Sequence, residues 1–342
     1  MPIKESLKKL NEYKPAKTRP RIKLDANESD NFLFSEPLDL KDVPLNLYPD
    51  SNATALVKRL SEIHGVNEEN TMVGAGSSEL IELVIKTYMN PGDTLLSIEP
   101  TFTMYEVYTT IHGGNYVSVP VDETYKIDVD RLIKKAKETN PSIIILCSPN
   151  NPTGERVGKE AIIRLLKETK SIVLLDEAYI DFSGENASMK NRIGDFDNLI
   201  VTRTFSKAYG LAAARLGYLF TNKTIADDLR RVKTPYSVNA LSQAVGLEAL
   251  KWPEKVKAHC ENVKKRRESL KDSLRNLGLK VLESETNFLY VLSDNSTLRD
   301  KLLEKDIAIR AFPGTTPARY RITVGNEEEN QALINALKEA TL

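Results

Sequence analysis

Short aliphatic runs free of charge recur along the chain, at Thr94–Ile98, Ile143–Cys147, Ile172–Leu175 and Leu199–Thr202. A strand covered on one face alternates apolar and polar residues, whereas a strand covered on both faces does not. The runs therefore predict strands buried on both sides. Leu80–Met89, Val129–Glu138 and Lys159–Lys167, which lie between them, read as helices. Helices alternating with buried strands imply an α/β fold, a mostly parallel mixed sheet flanked by helices. In such a sheet, ligands gather at the carboxyl ends of the strands.

Beyond about Asn239 the pattern changes. Leu241–Leu250 and the highly charged Glu254–Asn276 read as helices. They are followed by a strand at Asn287–Val291, a helix near Leu298–Lys305, a strand at Tyr320–Val324 and a last helix from Glu327. The expected division is a large domain over 28–240 and a smaller α+β domain over 1–27 and 241–342. Residues 1–27 enter the latter as an N-terminal arm, whose place the pattern alone leaves open.

Composition excludes several classes of function. The 48 basic residues balance 48 acidic ones, so the formal net charge is zero. That balance argues against a broad nucleic-acid surface or a polybasic membrane contact. No apolar stretch approaches the length of a membrane span, and the first residues lack a signal peptide's apolar block. Two cysteines, Cys147 and Cys260, make no disulfide framework, so a cytoplasmic location is expected. His64, His112 and His259 show no metal-ligand spacing, and no metal is expected. His64, just before Gly65, reads as a cation at a helix C-terminus. His112, His259 and Cys147 read as packing or surface residues.

The polar residues that follow the buried runs carry the chemistry. Ser148–Gly154 (SPNNPTG), Asp176–Tyr179 (DEAY) and Arg203–Gly210 (RTFSKAYG) each follow one. They bring an amide, a carboxylate and a lysine toward one sheet edge. Val73–Glu79 (VGAGSSE) is a glycine-rich turn opening a helix, where free backbone N–H groups suit an anion. It is not a dinucleotide fingerprint, since Glu79 occupies the third glycine position. An ATPase reading fails as well, because Gly154–Glu160 falls one residue short of a phosphate loop and ends on glutamate. Pyridoxal phosphate needs a lysine for a Schiff base, a carboxylate for its ring nitrogen, donors for its ring oxygen and a phosphate cup. Lys207, Asp176 and the pair Asn151 and Tyr179 meet the first three needs. Gly76, Ser77 and Ser78 with Thr204, Ser206 and Arg215 meet the fourth.

With TFSKAYGLAAARLGY at Thr204–Tyr218, these motifs resemble the fold-type I pyridoxal-phosphate aminotransferases. LDANES (Leu24–Ser29), YPD (Tyr48–Asp50), PTFTMY (Pro100–Tyr105), SETNF (Ser284–Phe288) and RITVG (Arg321–Gly325) are similar to the histidinol-phosphate branch. The resemblance implies that Lys207 carries the cofactor and shuttles the proton. Asp176 pairs with the ring nitrogen, and Asn151 and Tyr179 with the ring oxygen. Phe102 stacks on the ring, where the family often has tyrosine. It further implies a homodimer in which Tyr48 reaches the neighbouring subunit's cofactor phosphate. Tyr13, Asn27, Asn151, Arg310 and Arg321 bind substrate, with Arg319 competing for the place of Arg310. The implied substrates are histidinol phosphate and imidazole acetol phosphate, with glutamate and 2-oxoglutarate. An aromatic amino-acid aminotransferase and a threonine-phosphate decarboxylase remain alternatives.

Overall fold

The computed structural model describes residues 3–10, 20–34, 37–184 and 186–341. Tyr13 lies outside the described residues. In chain order the first half contains β1 (Ile22–Leu24), α1 (Thr54–His64), β2 (Thr71–Gly74), α2 (Gly76–Tyr88), β3 (Thr94–Glu99), α3 (Met104–Ile111), β4 (Asn115–Pro120), α4 (Val129–Thr139) and β5 (Ile143–Cys147). Next come α5 (Lys159–Glu168), β6 (Ile172–Asp176), β7 (Leu199–Thr204), β8 (Gly217–Thr221), α6 (Lys223–Val232), α7 (Ala240–Ala249) and α8 (Pro253–Asn276). The last elements are β9 (Lys280–Val281), β10 (Phe288–Ser293), α9 (Leu298–Glu304), β11 (Ile307–Phe312), β12 (Ala318–Thr323) and α10 (Glu327–Thr341).

Seven strands form one sheet in the order β2-β8-β7-β6-β5-β3-β4. Every neighbouring pair is parallel except those made by β8, which runs against both β2 and β7. β5 is buried at every position, as its unbroken Ile-Ile-Ile-Leu-Cys requires of a central strand. The helices cover the sheet through apolar stripes of helical period. In α4, Val129, Leu132, Ile133 and Ala136 are buried, and the Asp128 carboxylate caps the helix by accepting from the Arg131 N–H.

A second sheet has the order β1-β11-β12-β10-β9. The sequence pattern over 241–342 shows only two of its strands. β11 escapes notice because Arg310 interrupts its apolar run, and β9 is two residues long. The edge strand β1 comes from the far end of the chain and pairs in parallel with β11, Ile22 opposite Ile307.

The reading of His64 as a helix-end cation is corrected. Its ring stacks on Tyr218 and meets Phe220 edge-on, and its Nε2 is buried without a partner. Burial, with Arg203 and Lys190 nearby, holds its pKa down to about 2, so it is neutral. The cation at that helix end is Lys190, whose ammonium donates to the His64 carbonyl at 2.6 Å.

Beneath the sheet edge lies a buried ion cluster. Arg203, 5% exposed on β7, donates to Glu177 at 3.1 Å and to Asp181 at 3.4 Å. Glu177 also accepts from the Ser188 hydroxyl and the Met189 N–H. Removing one partner leaves an uncompensated buried charge. Arg203→Met is expected to cost roughly 3–5 kcal/mol, measured by urea denaturation.

Candidate active site

β5, β6 and β7 end side by side, with Cys147 opposite Asp176 and Asp176 opposite Thr202. The segments leaving these ends carry Asn151, Tyr179, Ser206 and Lys207. Asn150 fastens the first of them to the loop after β3. Its amide donates to the Pro100 carbonyl at 3.0 Å, and its Oδ1 accepts from the Thr101 hydroxyl at 2.8 Å. That fixes the loop that also carries Phe102.

Asp176 is 4% exposed. Its Oδ2 accepts from the Tyr105 hydroxyl at 2.7 Å and its Oδ1 from the Ala178 N–H at 3.1 Å. Burial raises its pKa, and these two donors oppose the rise. Lys207 is half-buried and donates to the carbonyls of Ala26 at 2.9 Å and Asn27 at 3.1 Å. Burial, reinforced by Arg321, brings its pKa down from 10.5 to about 7. A lysine in that range supplies a free amine near neutral pH, as a nucleophile or base must.

Around Lys207 the polar side chains are oriented by one another. Asn27 donates its amide to the Tyr179 hydroxyl at 3.0 Å, which leaves the phenolic proton for another acceptor. Arg321 donates to Asn151 Oδ1 at 2.6 Å and to the Asp25 carbonyl at 2.7 Å. The Asn151 amide nitrogen is thereby left as the outward donor.

A second cluster lies at the start of α2. Gly76 has φ 81, and a Cβ there would stand 2.8 Å from the Arg215 guanidinium. Gly217 on β8 is packed so closely that a Cβ would lie 2.2 Å from the Ser77 nitrogen. Only glycine allows both approaches. They bring Arg215 against the free N–H groups of Gly76, Ser77 and Ser78. The hydroxyls of Thr204 and Ser206 are buried 3.0 Å apart. Amide donors, hydroxyls and a guanidinium together suit a phosphate dianion. With Lys207 and the buried Asp176, the donor set fits pyridoxal phosphate.

Phe102 is half-buried and meets Tyr105 edge-on, ring centres 5.5 Å apart. Tyr48 is not drawn inward. It is 82% exposed and stacks on Tyr236. Arg310 is exposed and stands directly opposite Arg321 across β11 and β12. Arg319 turns to another task, its guanidinium lying over the Tyr125 ring at 5.5 Å. Sequence reasoning missed Tyr105 and the Ala26 carbonyl. Tyr105 had a signal, since it stands three residues after Phe102 where α3 begins; a backbone carbonyl leaves none.

Residues 11–337 match the family described as aminotransferase class I and II. The chain is 36% identical to the histidinol-phosphate aminotransferase of Clostridium novyi, over 98% of this chain and 96% of that protein. It is 38% identical to that of Thermoanaerobacter pseudethanolicus, over 99% of each. The crystal structure of histidinol-phosphate aminotransferase from Sinorhizobium meliloti in complex with pyridoxal-5'-phosphate has the same fold. Its TM-score is 0.87 at 24% identity, covering 94% of this chain and 91% of that one.

The depressed Lys207 pKa has a consequence for folding. Between pH 7 and 10.5 the unfolded chain binds more protons at this residue than the folded one, so folded stability rises with pH there. Below pH 7 both forms are protonated and the penalty is complete. In cofactor-free protein, Lys207→Met removes this contribution. Urea denaturation across that window is expected to show the wild type gaining stability relative to the variant as pH rises.

Proposed function

The chain belongs to the class I and II aminotransferases and has their fold-type I architecture, and from that premise we propose that it uses pyridoxal phosphate to transfer the amino group of histidinol phosphate to 2-oxoglutarate, a step of histidine biosynthesis. The observation that carries this reading is Lys207, an amine with pKa about 7 at the sheet edge that also carries the buried Asp176. When bound, the cofactor supplies an aldehyde that takes up the substrate amine and a ring that accepts electrons released at the substrate carbon.

The chain's own residues do the rest. Lys207 holds the cofactor, then takes the proton from the substrate carbon and returns it one position further along. Asp176 keeps a proton on the ring nitrogen. Tyr179, already accepting from Asn27, donates its free phenolic proton to the ring oxygen, and the Asn151 amide donates beside it. Gly76, Ser77, Ser78, Thr204, Ser206 and Arg215 hold the cofactor phosphate, and Phe102 covers the ring face. Arg321 and Arg310 grip the substrate phosphate with Tyr13. Like charges directly opposite on paired strands disfavour each other, which supports an anionic ligand between them. Arg319, engaged with Tyr125, is set aside.

The enzyme works as a cytoplasmic homodimer, with 28–240 as its cofactor domain and 1–27 with 241–342 as its smaller domain. Leu45, Leu47, Tyr48 and Tyr236 are exposed on one chain, an apolar group suited to cover by a second copy. Tyr48 then reaches the partner's cofactor phosphate.

Titrating the cofactor-loaded enzyme with histidinol phosphate is expected to convert its visible absorption to that of the amine form. No change at saturating substrate would reject this substrate while leaving the cofactor assignment intact. Release of CO2 from threonine phosphate would favour a decarboxylase, and faster turnover of phenylalanine an aromatic transaminase. Lys207→Ala is expected to abolish turnover and the visible absorption together. Arg310→Gln is expected to raise KM for histidinol phosphate about tenfold, with less effect on phenylalanine, in steady-state assays.

A further inference from the structure

Tyr105 has a hydroxyl where packing alone asks for none. The residue sits in the first turn of α3 and is 0% exposed. A phenylalanine would fill the same volume, and an unbonded hydroxyl in a dry site is costly. The hydroxyl is satisfied by Asp176 Oδ2 at 2.7 Å. The backbone is held too, since the Thr109 hydroxyl donates to the Tyr105 carbonyl at 2.7 Å. The same ring meets Phe102 edge-on. One side chain thus touches both the carboxylate and the aromatic assigned to the cofactor.

We propose that Tyr105 is a positioning residue for the reaction, its hydroxyl holding Asp176 in place and ionised for the cofactor's ring nitrogen while its ring braces Phe102. This rests on the assignment of Asp176 made above. The other groups that act on Asp176 do not replace that donor. The Ala178 N–H serves the opposite oxygen, and Glu177 disfavours the charge. Lys207 favours it, but is occupied in catalysis. Tyr179 and the Cys147 thiol are buried beside it, and burial keeps both neutral. Tyr105 is itself pushed far above the usual phenol range by burial and by Asp176, so it remains a donor at every working pH. Without it, the carboxyl takes up a proton more readily and holds the ring-nitrogen proton less firmly.

The test is Tyr105→Phe, which keeps the ring against Phe102 and removes only the donor. Pyridoxal phosphate is titrated into cofactor-free wild type and variant, followed by fluorescence. The variant is expected to bind about tenfold more weakly, the loss of one charge-assisted hydrogen bond. The pH midpoint of the bound cofactor's visible absorption is expected to move upward, because a ring that keeps its proton less firmly withdraws fewer electrons from the Lys207 linkage. kcat falls and KM for histidinol phosphate does not, while melting of the cofactor-free protein stays near wild type. In an Asp176→Asn background the same substitution is expected to change neither binding nor the midpoint. Wild-type binding and spectrum in Tyr105→Phe would overturn the inference, as would equal damage in the Asp176→Asn background, which would mark a packing role. A wild-type protein that binds no cofactor would overturn the functional reading, and this inference with it.

Discussion

A carboxylate buried at the end of a central strand is the constraint on which the rest of the site depends. β6 runs through the middle of the large sheet as Ile-Val-Leu-Leu and ends on Asp176. An ionised group there is costly unless donors surround it. The hydroxyl of Tyr105 on α3 and the N–H of Ala178, in the segment leaving β6 itself, supply two. This requirement ties α3 to the sheet by a polar contact as well as an apolar one. A protonated ring nitrogen is the remaining partner such a carboxylate suits.

The second sheet enters the site through its edge strand β1. β1 is three residues long and pairs with β11, and the chain leaving it brings the Ala26 and Asn27 carbonyls to Lys207 and the Asp25 carbonyl to Arg321. Asn27 adopts φ 55 and is tied down at several atoms. Its N–H donates to Thr323, its amide to Tyr179, and its carbonyl accepts from Asn287. Ser29 then donates to the Lys207 carbonyl. A segment anchored on the second sheet therefore holds the lysine carried by the first, so movement of one sheet's edge is felt at the amine.

The parts legible in the sequence are those whose physics is local. β5, β6 and β7 announce themselves because burial on both faces forbids charge, and the residues after them are polar because a strand end faces the ligand side. β1 and β9 are too short for any period to register, and β1 finds its partner some 285 residues later, as Ile22 opposite Ile307. β8 follows the lysine motif and reverses direction at Arg215, whose φ of 49 no local pattern foretells. The site residues legible from motifs were those carrying side-chain chemistry. The Tyr105 contact depends on the packing of α3 against β6, and the cover over Lys207 on backbone carbonyls. His64 shows the converse error, where a local rule was right about the helix end and wrong about which residue supplies the charge.

Overall neutrality conceals a local excess of positive charge around Lys207. Arg321, Lys23 and Arg215 all lower the proton affinity of Lys207, with Glu28 opposing them. Arg310 and Arg321 face each other across paired strands, an arrangement that weakens the sheet on its own. The fold tolerates it because Arg321 is shared between the Asn151 side chain and the Asp25 carbonyl, and because Arg310 reaches solvent. Both guanidiniums thus bring positive charge to one side of the paired strands, where an anion is favoured.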